Sequence, residues 1–156
     1  MDINAELEQD WPGLARTSYR ITSPHTGDYN CLAWAIEETD RWWSPLPDDD
    51  YYWPEGLPRE VSISAFVKVY ETLGFVVCED GELEPGMEKL AIYATSDARP
   101  QHVARQLPNG LWTSKLGRLE DIEHELNGLS GELYGTVQRF MKRIQSKLKI
   151  LQENLN

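Results

Sequence analysis

Cysteine is scarce in this chain: 156 residues contain two, Cys31 and Cys78. Neither has a CxxC neighbour, which excludes a disulfide framework or a redox pair. Histidine is also sparse, and His25, His102 and His124 are widely scattered. No metal site and no cofactor are expected from such a set. No run of about 18 apolar residues occurs, so no membrane-spanning helix is expected. The stretch Met1-Asp2-Ile3-Asn4-Ala5-Glu6 lacks the basic and apolar regions of a secretory signal, and a cytoplasmic location is expected. Basic residues are outnumbered, 15 against 26 acidic ones, for a net charge of −11. Nucleic-acid affinity is dominated by phosphate neutralisation, so neither nucleic acid nor an anionic membrane is an expected partner. The same charge suits a peptide or protein substrate, and it also serves plain solubility.

What the chain does have is apolar and aromatic mass: 40% hydrophobic residues, six Trp and seven Tyr. That suffices for one domain with a real core. Asn30 is a good helix N-cap, and Leu32, Ala35 and Ile36 follow at helical spacing, so Cys31 falls in the first turn of a helix. Ser62 caps a second helix running to Leu73, which Gly74 ends. Short strands are predicted over 75–78 and 90–94. Two more, 102–107 and 111–115, flank the hairpin signal Pro108-Asn109-Gly110. Leu119, Ile122, Leu126 and Leu129 predict a helix, and Tyr134 to Phe140 a last strand. Phe140, Ile144, Leu148, Leu151 and Leu155 predict an amphipathic C-terminal helix. The division expected is a domain over 1–140 and a helical tail over 141–156, packed on the domain, on a protein partner or on a second copy.

A thiol attacks as thiolate, and an adjacent imidazole activates it. Cys31 at a helix start and His102 at the head of a strand are therefore the candidate nucleophile and base. Ser114, across the Asn109-Gly110 hairpin from the His102 strand, is the candidate to orient the imidazole.

These residues resemble a known group. The run 84–93, with Pro85-Gly86 before an apolar strand, and the run 102–114, opening His-Val, resemble the second half of NlpC-like papain-fold hydrolases. Asn30-Cys31 before an apolar helix resembles their nucleophile turn, which usually reads Asp-Cys. The resemblance spans roughly Tyr19 to Lys115. It implies an α+β, papain-like fold, with the nucleophile helix packed on a small antiparallel sheet. It also implies a cysteine hydrolase or acyl transferase acting on an amide, with Tyr19 lending its hydroxyl to the oxyanion site. The departures are Leu32 after the nucleophile, Arg20-Ile21 after the Tyr, and Ser114 at the third position. Asn30-Cys31, His102 to Gln106 and Trp112 to Gly117 also resemble an uncharacterised bacterial family with no known activity. Loss of catalysis, leaving a protein-binding module, is the alternative.

Substrate contacts are expected from Trp42, Trp43 and Trp53 in the aromatic stretch 41–58, and from Arg105 and Trp112. The same aromatics equally serve to fasten a long loop to the body. Asp48-Asp49-Asp50 lacks the spacing of a calcium loop and reads as solvated. Cys78 reads as core, and His124 as a surface or rim residue.

Overall fold

In a computed structural model, residues 2–145 are described. The first helix, α1 (Ile3–Asp10), starts at Asp2, whose carboxylate accepts from the Ala5 N–H at 2.9 Å. A 3-10 turn (Pro12–Arg16) leads into β1 (Tyr19–Ser23). Next come α2 (Cys31–Trp34), β2 (Trp42–Trp43), β3 (Tyr51–Tyr52) and α3 (Ile63–Thr72). The remainder is β4 (Val76–Cys78), β5 (Met87–Ala94), β6 (Pro100–Gln106), β7 (Trp112–Lys115), β8 (Asp121–His124) and β9 (Thr136–Ile144). Seven strands form one sheet in the order β1-β8-β7-β6-β5-β9-β4, every neighbouring pair antiparallel. β2 and β3 make a separate two-stranded parallel pair.

The central strands are apolar on both faces because both faces are covered. Alternation sends Leu90, Ile92, Val103 and Met141 to one side, where α2 and α3 supply Leu32, Phe66, Val69 and Tyr70. Ala91, Tyr93, Ala104 and Ile122 face the other side, against Leu7, Trp11 and Leu14 of the N-terminal segment. Each large side chain buried this way contributes about 1.5–3 kcal/mol. Gly135 turns the chain into β9 with φ of 73°, and a Cβ there would stand 1.9 Å from the Ala94 carbonyl oxygen. Only glycine fits.

The papain-like arrangement expected from sequence is overturned. The body is a seven-stranded antiparallel sheet, and the α-helices among the described residues have only 8, 4 and 10 residues. The helix expected from Leu119 to Leu129 is instead a turn, the strand β8 and a 3-10 turn (Leu126–Gly128). Phe140 to Ile144 continue strand β9 rather than opening a helix, and β9 runs across the expected boundary at 140/141. The rest of the expected tail helix, 146–156, lies outside the described residues. Among the described residues no helix is long and apolar enough to cross a membrane.

Candidate functional site

Cys31 opens α2, and Asn30 fixes that helix start in two directions. Its side-chain oxygen accepts from the Ala33 N–H (3.3 Å) and the Trp43 N–H (3.1 Å), while its amide donates to the Trp43 carbonyl (2.6 Å). An Asp could accept but not donate, which gives Asn30 a physical reason to replace the Asp-Cys pattern. Three further bonds hold α2 against its surroundings. Trp34 Nε1 donates to Thr113 Oγ1 on β7 (3.0 Å), and Arg105 Nε on β6 donates to the Trp34 carbonyl (3.3 Å). From α3, the Tyr70 hydroxyl donates to the Leu32 carbonyl (3.0 Å).

The ladder between β6 and β7 pairs Arg105 with Thr113 and Gln106 with Trp112, and stops there. Ahead of Arg105, the first part of β6 has no ladder partner on that side among the described residues. The backbone amides of Val103, Leu32 and Cys31 itself act on the Cys31 thiol. These donors and the nearby Lys115 ammonium favour the thiolate, but burial outweighs them and raises the thiol above its ordinary range. Cys31 rests as a neutral thiol. Lys115 is itself buried, its ammonium donating to the carbonyls of Thr26 (2.7 Å), Gly117 (2.5 Å) and Leu119 (2.7 Å).

His102, next to Val103, is fully buried, and its ring lies parallel to Tyr134 at 4.2 Å between centroids. His102 Nε2 and Ser114 Oγ are 2.8 Å apart, and Ser114 Oγ and His124 Nε2 are 2.7 Å apart. His124 Nδ1 lies 2.8 Å from the Glu125 carbonyl oxygen. A carbonyl can only accept, so His124 carries its proton on Nδ1 and offers a lone pair at Nε2. Ser114 therefore donates to His124, which leaves its oxygen to accept from His102 Nε2–H. The relay fixes His102 in one tautomer with a bare lone pair at Nδ1. That Nδ1 is buried and has no hydrogen-bond partner among the described residues, so no hydrogen bond joins it to Cys31. Burial lowers the pKa of both histidines, that of His124 to about 4, and the second imidazole lowers His102 further. Both rest neutral.

A cavity of about 340 Å³ opens beside this cluster, bordered by Cys31 on one wall and Tyr134 on another. Trp42 and Trp43 also border it. The other expected contacts are elsewhere. Trp53 is core, its Nε1 donating to the Pro58 carbonyl (3.1 Å). Trp112 is buried opposite His124 in the β7–β8 register. Arg105 lies over the Trp34 ring at 5.0 Å and pairs with Glu37 at 3.6 Å. Tyr19 is not at the site either. It sits on the edge strand β1, with its hydroxyl donating to Glu8 (2.5 Å) and accepting from Asn4 (2.9 Å). Cys78 is half-buried rather than core. His124, expected at the rim, is fully buried. Its role was missed because Ile122 and Leu126 flank it at helical spacing, which hid a four-residue strand. Tyr134 was read only as the start of a strand, and its stacking on His102 has no local signal.

These elements define an α+β protein whose antiparallel sheet carries a His–Ser–His relay beside a cysteine-bordered cavity. The chain belongs to the family described as Domain of unknown function (DUF7689), which matches residues 20–142 and so includes Cys31, His102, Ser114, His124 and Tyr134. No curated protein and no solved structure matches it.

Proposed function

We propose that this protein is a cysteine-dependent hydrolase or acyl transferase that acts on an amide of a peptide or protein, with Cys31 as nucleophile and His102 as base. One observation carries the reading: the buried, unpartnered lone pair of His102 Nδ1, in a tautomer set by Ser114 and His124. A buried imidazole nitrogen without a partner is unfavourable by about 1–3 kcal/mol, which fits a position kept for proton transfer. The Val103 backbone amide acts on the Cys31 thiol, while strand alternation turns the His102 side chain to the sheet face of Tyr93 and Ala104. In this scheme the Cys31 proton moves to Nδ1 as sulfur bonds the carbonyl carbon. The Cys31 N–H assists the oxyanion, and the imidazolium returns its proton to the leaving amine as the C–N bond breaks. Water or a second amine then takes the acyl group from sulfur. Both thiols are free, which fits a reducing, cytoplasmic setting.

An electrophilic vinyl sulfone tests this, with Cys78 as the internal comparison. Cys31 is expected to label at least about tenfold faster than Cys78 at neutral pH, and His102→Gln to remove the difference. Equal rates in folded protein defeat the proposal. A second reading, a binding module without catalysis, is favoured by the raised Cys31 thiol and by the lack of a bond to His102. It predicts an unreactive Cys31 beside a cavity that still binds ligand.

A further inference from the structure

We infer that the cavity beside Cys31 takes an apolar, preferably aromatic, side chain whose own residue ends in a free carboxylate, as at a peptide C-terminus, with Arg99 as the carboxylate's partner. As a ligand preference this stands alone; as the substrate class of an enzyme it rests on the reading of Cys31 above.

The walls supply the apolar part. Trp42, Trp43, Leu46, Phe66 and Tyr134 border the cavity, and its size suits one large side chain with its flanking backbone. The charge of the walls supplies the rest. Among the described residues, no acid borders this cavity, and Arg99 is the one charged residue that does. Arg99 is exposed and makes no ion pair with another described residue. The acid nearest it in sequence, Asp97, accepts from the Thr95 hydroxyl and feels the Arg99 charge without forming an ion pair with it. A second guanidinium, that of Arg118, lies over the Trp42 ring at 4.7 Å and adds positive charge behind the same wall. In a molecule of net charge −11, a pocket bordered by one cation and by no acid among the described residues favours an anion. A guanidinium meets a carboxylate with two parallel N–H···O bonds, which an amide cannot match.

The test is a titration of intrinsic Trp fluorescence at low salt, comparing N-acetyl-phenylalaninate with N-acetyl-phenylalaninamide. The carboxylate is expected to bind about tenfold more tightly than the amide, the scale of one charge-assisted contact. Arg99→Gln should erase that difference, while Cys31→Ala should leave it intact. Equal affinity, tighter binding of the amide, or no saturable binding of either ligand overturns the inference. If the preference holds but Cys31 fails to label, the ligand class survives and the enzyme does not. If Cys31 labels but no preference appears, only this inference fails.

Discussion

Mild acid should destabilise this protein through its histidines before its carboxylates matter. His124 is neutral and buried, with its pKa lowered from 6.5 to about 4. In the unfolded chain it titrates near its ordinary value, so below about pH 6.5 the unfolded state holds more protons than the native one. Stability is then fully present above about pH 6.5 and falls as pH drops, until the native ring itself protonates near 4. With those two values, moving from about pH 7.5 to about pH 5 removes about 2 kcal/mol through His124 alone. His102 is lowered in the same direction by burial and by His124, and adds to the loss. The carboxylates with lowered pKa, Asp80, Glu84, Asp97 and Glu123, act on stability only below the ordinary carboxylate range, so the two windows separate. Urea unfolding across about pH 5 to 7.5 measures the effect, with the His124 ring proton followed by NMR. A flat stability over that interval, or a His124 ring that protonates near pH 6.5 in folded protein, refutes the assignment of a neutral relay.

Ser114→Ala should lower stability by about 2–5 kcal/mol in urea melts, because it strands the Nε2 atoms of two buried histidines at once. Asn30→Asp should destabilise by about 1–3 kcal/mol although Asp is an equally good helix cap, since the Trp43 carbonyl loses its donor and meets a carboxylate; an unchanged melting temperature would show that the cap alone matters. Gly135→Ala forces a Cβ into the Ala94 carbonyl at positive φ and should cost more than about 3 kcal/mol or abolish soluble expression.

The pieces legible in the sequence were those with local determinants. Asn30 marked the start of α2, and Ser62 caps α3 as read, its hydroxyl accepting from the Ala65 N–H at 3.0 Å. The Asn109-Gly110 turn, with Gly110 at φ of 87°, set the hairpin register that brings Ser114 to His102. The failures came from patterns that two structures share. Phe140 and Ile144 are four apart, a spacing that puts side chains on one face of a helix and equally on one face of a strand. What settles it is Met141, fully buried on the opposite face of β9 beneath α3, a contact set by strands distant in sequence. Leu119 to Leu129 likewise spaced their leucines helically while serving a turn, a strand and a 3-10 turn. The strand β1 has no local signal because its ladder partner among the described residues is β8, about a hundred residues later. The size of the sheet, and with it the departure from a papain-like body, is a property of those distant pairings.

The short ladder between β6 and β7 has a price in reverse. Substitutions that would extend it, by drawing the Val103 amide into a conventional bond with β7, should make the sheet more regular and more stable. They would also withdraw a backbone amide that favours the Cys31 thiolate. Screening for thermostability alone would thus tend to collect variants zipped shut at this seam, with an intact fold and a silenced thiol.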